Sequence, residues 1–150
     1  MNATGTSTAG ERAVEIARGW IGTPYRHQAS ARGAGTDCLG LLRGVWRELY
    51  GAEPEAVPAY TLDWSEPEGD ERLWQAARRH LVEREPRGPA RPGDVILFRM
   101  RAGAVAKHLG LATARGGSPT FIHAYSGHCV VESAFSAPWA RRVVARFEFP

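Results

Sequence analysis

The chain has 150 residues, of which 43% are hydrophobic and 23% are charged, and its net charge is +3 at pH 7. This length fits one domain with a single core, and the composition is neither that of a disordered chain nor that of a membrane protein. Arginine supplies all but one of the 19 basic residues, but acidic residues are interspersed among them, so we expect neither nucleic-acid binding nor membrane insertion.

The first residues do not resemble a secretory signal, because they have neither a basic start nor an apolar run. We therefore expect synthesis in the cytoplasm without a signal peptide, and any role outside the cell would require a carrier. Residues 1–11 are predicted to form a flexible tail, and residues 12–150 are predicted to form the folded domain.

Apolar residues at helical spacing predict two helices separated by a loop over residues 26–36. The first helix is capped by Ser7 or Thr8 and ends before Gly22-Thr23-Pro24. Its apolar positions are Ala13, Val14, Ala17, Trp20 and Ile21. The second helix is capped by Thr36 or Asp37 and ends at Gly51. Its apolar face consists of Leu41, Leu42, Val45, Trp46 and Leu49, which indicates a central, buried helix.

Three prolines, Pro54, Pro58 and Pro67, interrupt the next segment, and Asp70 opens a third predicted helix. This helix carries Leu73, Trp74, Ala77 and Leu81, and a proline-rich connector over residues 86–93 follows it. Short apolar runs then predict strands at residues 95–98, 108–112, 120–125, 129–131 and 143–149. Helices first and strands second indicate an α+β domain with an antiparallel sheet.

One of the two cysteines, Cys38, stands at the predicted start of the second helix. The N–H groups and the dipole at a helix N-terminus stabilise negative charge, so a thiol there is expected to ionise more readily than in solution. The alternative is a small core residue, because cysteine is among the most buried residue types. The preceding Asp37 and the glycine-rich approach favour a nucleophile.

A thiol that attacks a carbonyl needs a base, and histidine titrates in the right range. His108 and His123 lie on predicted strands, where strand alternation places His108 beside the small residues Gly110 and Ala112. The other histidines, His27, His80 and His128, have contexts that favour the surface.

Cys38, His108 and His123 could instead hold zinc, with Asp37 or water as a fourth ligand. No two of them share a local ligand spacing such as CxxC or HExxH, so this interpretation is less favoured, and we expect no metal or other cofactor. We also expect Cys38 and Cys129 to be free thiols, because cytoplasmic synthesis without export disfavours a disulfide.

Five short motifs follow one another along the chain. They are Gly22-Thr23-Pro24-Tyr25, Thr36-Asp37-Cys38-Leu39-Gly40-Leu41, Arg91-Pro92-Gly93-Asp94-Val95, His108-Leu109-Gly110-Leu111 and Ile122-His123-Ala124. Together, and in this order, they resemble the NlpC/P60 family of papain-like cysteine peptidases. The resemblance implies a papain-like α+β fold in which N-terminal helices pack on a C-terminal antiparallel sheet.

By this resemblance, Cys38 is the nucleophile, His108 is the general base, and His123 is the third polar residue, which orients the base. Tyr25 matches a tyrosine beside the nucleophile whose hydroxyl helps the oxyanion site, and Asp37 is a further candidate for binding the substrate or the oxyanion. The family cleaves stem peptides of bacterial peptidoglycan, commonly between D-γ-glutamyl and diaminopimelate residues, so these peptides are the predicted substrate.

Leu39 departs from the family pattern, which usually has serine after the cysteine. The segment Asp37-Cys38-Leu39-Gly40-Leu41 is more similar to a subgroup associated with phage tails and phage-like gene transfer agents. The predicted partners are therefore tail or baseplate proteins, in a particle that delivers the enzyme to the periplasmic cell wall. Two alternatives remain open: a thioester-forming amidase or acyltransferase of the same fold, and a particle component without catalytic activity.

Overall fold

The structure, a computed structural model, describes residues 7–57, 69–87 and 90–150. Within these residues the helices are α1 (Ala9–Arg18), α2 (Cys38–Tyr50), α3 (Arg72–His80) and α4 (Ala137–Ala140). The strands are β1 (Ser30–Ala31), β2 (Gly35–Thr36), β3 (Val82–Arg84), β4 (Val95–Phe98), β5 (His108–Arg115), β6 (Ser118–Ala124), β7 (Val130–Ala134) and β8 (Val143–Glu148). The three longer helices precede most of the sheet in sequence, so the predicted α+β class is confirmed.

Thr8 begins α1 with a capping box, in which its hydroxyl accepts from Glu11 N–H and the Glu11 carboxylate accepts from Thr8 N–H. The helix starts at Ala9, so residues 9–11 of the predicted tail are helical, and residues 1–6 lie outside the described residues. It ends at Arg18, earlier than predicted. Trp20 still packs into the core at 2% exposure, whereas Ile21, another apolar position of the predicted helix, is 40% exposed.

Six strands form one antiparallel sheet in the order β3-β8-β4-β5-β6-β7, and β1 and β2 form a separate small hairpin. Strands β5 and β6 are joined by Gly116 and Gly117, which both have positive φ, as a tight two-residue hairpin requires. This turn sets the register in which Leu111 pairs with Ile122, and the register places the histidine of each strand near the same end of the sheet.

Helix α2 packs against one face of the sheet and against α1. Its buried positions are Gly40, Leu41, Gly44 and Val45. Leu41 and Val45 join Val95, Leu97, Leu109, Leu111 and Phe147 of the sheet in the main core. The opposite face carries a second, aromatic-rich cluster built on Ile96, Phe98, Ala112 and Phe121. Strand β4 is buried along its whole length because it contributes to both clusters.

Three features escaped the sequence patterns. Residues 30–36 of the predicted loop form the β1–β2 hairpin, β3 is a short exposed strand at the sheet edge, and α4 is a single turn with Pro138 near its start. Helix α3 starts at Arg72, two residues after the predicted Asp70. Pro58, Pro67 and residues 88–89 of the connector lie outside the described residues. None of the described helices has the length and apolar character needed to cross a membrane.

Candidate active site

Asp37 is the N-cap of α2 and builds the turn that presents Cys38. Its Oδ1 accepts a hydrogen bond from Gly40 N–H at 2.7 Å, and its Oδ2 accepts one from Gln28 N–H at 2.7 Å. The side chain is 3% exposed. A carboxylate only accepts hydrogen bonds, so the expected contribution of Asp37 to an oxyanion site is replaced by a structural one: it caps the helix and ties it to the preceding loop.

Tyr25 lies beside the start of α2, because Tyr25 pairs with Thr36 in a parallel bridge and its N–H donates to the carbonyl of His128. Burial of the half-buried ring raises the pKa of the Tyr25 hydroxyl to about 12, with smaller contributions from Cys38 and Asp37. The hydroxyl therefore stays protonated at neutral pH and keeps a proton to donate. Tyr25 thus lies near Cys38, and its part in an oxyanion site stays a prediction.

The Cys38 thiol donates a hydrogen bond to the carbonyl of Lys107 at 3.4 Å, directly before His108. Burial raises the pKa of this thiol to about 12, and the Asp37 carboxylate raises it further. Hydrogen bonds from the backbone N–H groups of Leu109, Leu39 and Cys38 act in the opposite direction but are outweighed. These influences favour a neutral thiol at rest over the readily ionised one expected from the sequence, although the helix N-terminus does act with the predicted sign.

His108 and His123 meet side by side: His108 Nε2 lies 2.9 Å from His123 Nδ1, and His123 Nε2 lies 2.9 Å from Ser133 Oγ. A neutral imidazole has one donor and one acceptor nitrogen. We assign His108 Nε2–H as the donor to His123 and His123 Nε2–H as the donor to Ser133. This assignment leaves His108 Nδ1 as an acceptor, the form that a base needs. Ser133 was not identified from the sequence.

Burial lowers the pKa of His108 to about 3, and His123 contributes further. Burial also lowers the pKa of His123 to about 4, with a smaller contribution from His128. Both rings are therefore uncharged at neutral pH. The structure thus pairs two neutral imidazoles across β5 and β6, and the neutral Cys38 thiol meets the Lys107 carbonyl directly before β5.

Aromatic rings cover the two histidines: Tyr125 follows His123 by two residues and shares its face, as strand alternation predicts, whereas Trp139 was not identified from the sequence. The Trp139 ring centroid lies 5.8 Å from that of His108 and 5.2 Å from that of His123, and Tyr125 lies 5.9 Å and 5.6 Å from the same rings. The sequence around Trp139 offers little to predict this contact: the preceding Pro138 suggests the start of a helix, but it does not indicate where that helix packs.

A cavity of 310 Å³ lies between α2 and α3. Its walls include Leu39 and Leu109, the residues that directly follow Cys38 and His108. The remaining lining is largely apolar and includes Leu42, Trp46, Leu73 and Ala77, while Arg43 and Arg79 stand among its charged residues. This volume falls at the lower end of the range for small-molecule sites.

The other titratable candidates lie outside the histidine pair. His27 Nδ1 is 3.9 Å from Asp37 Oδ2, His80 Nε2 is 2.5 Å from Glu55 Oε1, and His128 stacks on Tyr125. Cys38 and Cys129 are both free thiols, as expected. Among the residues that the structure describes, no three or more His, Cys, Asp or Glu side chains are grouped to hold a metal ion.

A model of the NlpC/P60 family matches residues 22–148 of the chain. No curated protein sequence matches it. Among solved structures, NlpC2 from Trichomonas vaginalis is 23% identical with a TM-score of 0.62, and the match covers 98% of this chain and 48% of that protein. The chain thus spans about half the length of that relative.

Two further solved structures match almost end to end. The NlpC/p60 domain of the peptidoglycan hydrolase SagA is 22% identical with a TM-score of 0.60, and the match covers 93% of this chain and 98% of that one. An N-acetylmuramoyl-L-alanine amidase from Bacteroides uniformis is 13% identical with a TM-score of 0.58, over 94% and 98% of the two chains. At these identities the likeness concerns the fold.

Proposed function

The chain belongs to the NlpC/P60 family, and from this premise we propose that it is a cysteine hydrolase acting on bacterial peptidoglycan. The observation that carries the proposal is the hydrogen-bonded pair of His108 on β5 and His123 on β6, together with the Cys38 thiol, which donates a hydrogen bond to the Lys107 carbonyl directly before β5. The fold it shares with a peptidoglycan hydrolase domain and an amidase supports the same substrate class.

The mechanism starts from uncharged groups. The proton of Cys38 Sγ passes to His108 Nδ1 as the sulfur attacks the amide carbonyl, and the imidazolium is stabilised by its Nε2–H bond to His123. The oxyanion lies near the backbone N–H groups at the start of α2, where the Tyr25 hydroxyl is a further donor. His108 then protonates the leaving amine, and water hydrolyses the thioester to release the acid and restore the thiol.

The scissile bond proposed for this enzyme joins D-γ-glutamyl and diaminopimelate residues of the stem peptide, as the family resemblance implies. Purified muropeptides incubated with the protein and analysed by mass spectrometry should give two fragments whose masses sum to that of the substrate plus one water. The composition of the two fragments shows which bond was cleaved.

The controls use the chain's two cysteines. We expect Cys38→Ala to abolish cleavage and Cys129→Ser to retain it. Intact muropeptides with the wild-type protein would contradict the hydrolase proposal and favour a particle component without catalytic activity. Equal cleavage by Cys38→Ala would instead refute Cys38 as the nucleophile.

The amidase structure among the relatives favours one second candidate, cleavage of the bond between N-acetylmuramic acid and L-alanine. The same analysis separates the two, because an amidase releases the whole stem peptide from its sugar. Adding a competing amine tests the acyltransferase alternative, since transfer would give an amide product in place of the free acid.

We also propose that the enzyme is carried by a phage-like tail or baseplate, on the grounds of the similarity of Asp37-Cys38-Leu39-Gly40-Leu41 to sequences of that subgroup. Phage-like particles purified from the source strain should contain this protein when their peptides are analysed by mass spectrometry. Its recovery only in the particle-free fraction would refute this localisation without affecting the proposed chemistry.

A further inference from the structure

The short helix α4 brings one tryptophan against both candidate catalytic histidines. The plane of Trp139 is tilted by 33° relative to the His108 ring and meets the His123 ring nearly edge-on, at 81°. Trp139 is half-buried, so one part of its indole lies on the histidines and another part reaches the surface. This geometry makes the indole a boundary between the imidazole pair and water.

Trp139 belongs to an aromatic box, which we define as Phe98, Phe121, Tyr125 and Trp139. Phe98 lies 5.6 Å from the His108 ring, and Phe121 lies 4.2 Å from the His123 ring. Trp139 contacts the three other rings of the box, at 5.4 Å, 5.0 Å and 5.9 Å. Phe98 and Phe121 are fully buried, so Trp139 and Tyr125 are the members that separate the histidines from solvent.

We propose that Trp139 is a positioning residue: it holds His108 and His123 in the orientation in which Nε2 of the first meets Nδ1 of the second, and it keeps water from that bond. The catalytic part of this inference rests on the hydrolase function proposed above. Edge-to-face packing restricts ring rotation, and a displaced His108 ring would turn Nδ1 away from the position where it accepts the thiol proton.

The charged and titratable groups around the pair come from several elements. Ser133 on β7 accepts from His123, His128 stacks on Tyr125 at 5.2 Å, and the Cys38 thiol at the start of α2 donates to the Lys107 carbonyl directly before β5. The guanidinium of Arg142 lies 5.4 Å from the Trp139 ring centroid. Loss of the indole would therefore admit both water and a positive charge to the histidines.

These two effects act on the imidazole pKa in opposite directions. Water would raise the pKa of each histidine towards its ordinary value, whereas the Arg142 cation would lower it. Burial is the largest influence on both rings. Entry of water should therefore dominate, and removal of Trp139 should raise both imidazole pKa values.

The test compares Trp139→Ala and Trp139→Phe with a matched control, Trp74→Ala. Trp74 is also half-buried and also carries an arginine over its ring, with Arg78 at 4.8 Å from the centroid. Histidine side chains labelled with nitrogen-15 are titrated by NMR. We expect Trp139→Ala to raise the imidazole pKa of His123 by about one unit or more, while Trp139→Phe and Trp74→Ala stay close to wild type.

Unchanged His108 and His123 titrations in a folded Trp139→Ala protein would overturn the proposal. If Trp139→Ala does not fold, Trp139→Gln keeps much of the side-chain length but brings a polar group to the histidines, and it is judged by the same shift. In muropeptide cleavage, the acidic limb of the pH profile should move upward with the imidazole pKa. Absence of cleavage by the wild-type protein would refute the hydrolase function, whereas the NMR titration decides the positioning of the rings without any substrate.

Discussion

The reactivity of Cys38 depends on a balance between its own helix and its surroundings. Three backbone N–H groups lower the pKa of the thiol, but burial and the Asp37 carboxylate raise it to about 12. The same carboxylate caps the helix that supplies two of those N–H groups. The residue that builds the turn at Cys38 therefore also disfavours the thiolate, and in the proposed mechanism the thiol ionises only when its proton passes to His108.

The pH dependence of alkylation tests this neutral thiol. In a Cys129→Ser background, the rate of Cys38 alkylation by iodoacetamide, followed by mass spectrometry, should rise about tenfold per pH unit from pH 6 to 9, because the thiolate fraction grows in that proportion below the pKa. A preformed thiolate–imidazolium pair would instead give a rate plateau across this range, and observing that plateau would contradict the prediction.

Two substitutions of Asp37 distinguish the effect of its charge on the Cys38 thiol from its role as the N-cap of α2. Asp37→Asn removes the charge and keeps an acceptor for Gly40 N–H, so Cys38 alkylation at pH 7.5 should accelerate by roughly threefold or more. Asp37→Ala also loses the cap, and its free energy of unfolding in urea should fall by about 1–2 kcal/mol. Equal alkylation rates in wild type and Asp37→Asn would show that the carboxylate charge does not act on the thiol.

At the scale of elements, the contact between Trp20 and α2 fixes how the helix that begins at Cys38 lies in the core. A Cβ at Gly44 would stand 2.1 Å from Cζ2 of the Trp20 ring, whose Nε1–H donates to Glu48 on the same helix at 2.9 Å. The indole thus rests on the backbone of α2, at a position where only glycine gives it room.

Gly44→Ala should therefore destabilise the protein, although alanine is the better helix former by about 1 kcal/mol. We expect a loss of about 1–3 kcal/mol in urea denaturation, the usual cost of overpacking. Gly19→Ala is the control, since its nearest neighbour is the end of the exposed Arg32 side chain, which can move aside. An unchanged free energy of unfolding in Gly44→Ala would mean that the Trp20 ring can move aside without cost.

The helices and strands that carry the site were predictable because local patterns encode them. Asp37 as a cap, the apolar face of α2 and the alternation around His108 and His123 each depend on near neighbours in sequence. The Gly116-Gly117 turn then fixes the β5–β6 register. The glycine at residue 110 leaves space for the rings, since a Cβ there would lie 2.9 Å from Phe121.

The parts of the site that the sequence did not predict depend on tertiary contacts. Ser133 reaches His123 from β7, and Trp139 reaches both histidines from α4. No local sequence spacing encodes either contact. The raised pKa of Cys38 likewise depends on burial, which opposes the helix N-terminus and cannot be derived from residue order. Asp37 was predicted to bind the substrate or the oxyanion because it precedes Cys38 in the sequence, whereas its two hydrogen bonds to backbone N–H groups show a structural role.

In the whole molecule, the candidate active site joins the two clusters that lie on opposite faces of the sheet. Cys38 and Tyr25 pack with the helix-side core, whereas His108 and His123 contact the aromatic rings of the other cluster. The start of β5 connects them, because Lys107 accepts from the thiol and His108 belongs to the ring cluster. Any change that separates helix α2 from the sheet should therefore affect the thiol before it affects the histidines.

The buried histidine pair also makes global stability depend on pH. His108 and His123 are 8% and 1% exposed, and their pKa values in the folded protein lie below the value of about 6.5 expected in the unfolded chain. As the pH falls below about 6.5, the unfolded chain binds protons that the folded protein does not. Unfolding is therefore favoured by acid, with a slope of up to about 1.4 kcal/mol per pH unit for each histidine.

Urea denaturation between pH 7 and pH 4.5 tests this linkage. Arginine and hydroxyl partners lower the pKa values of carboxylates such as Glu132 and Glu53. These carboxylates therefore keep their favourable ion pairs in this pH window. We expect the free energy of unfolding of the wild type to decrease steadily through this window. His123→Asn should flatten the slope, because it removes one buried imidazole, whereas the exposed-site control His128→Asn should retain most of it. A wild-type stability that stays constant down to pH 4.5 would mean that the pair accepts a proton without unfolding, and the uncharged resting state assigned to the site would then be wrong.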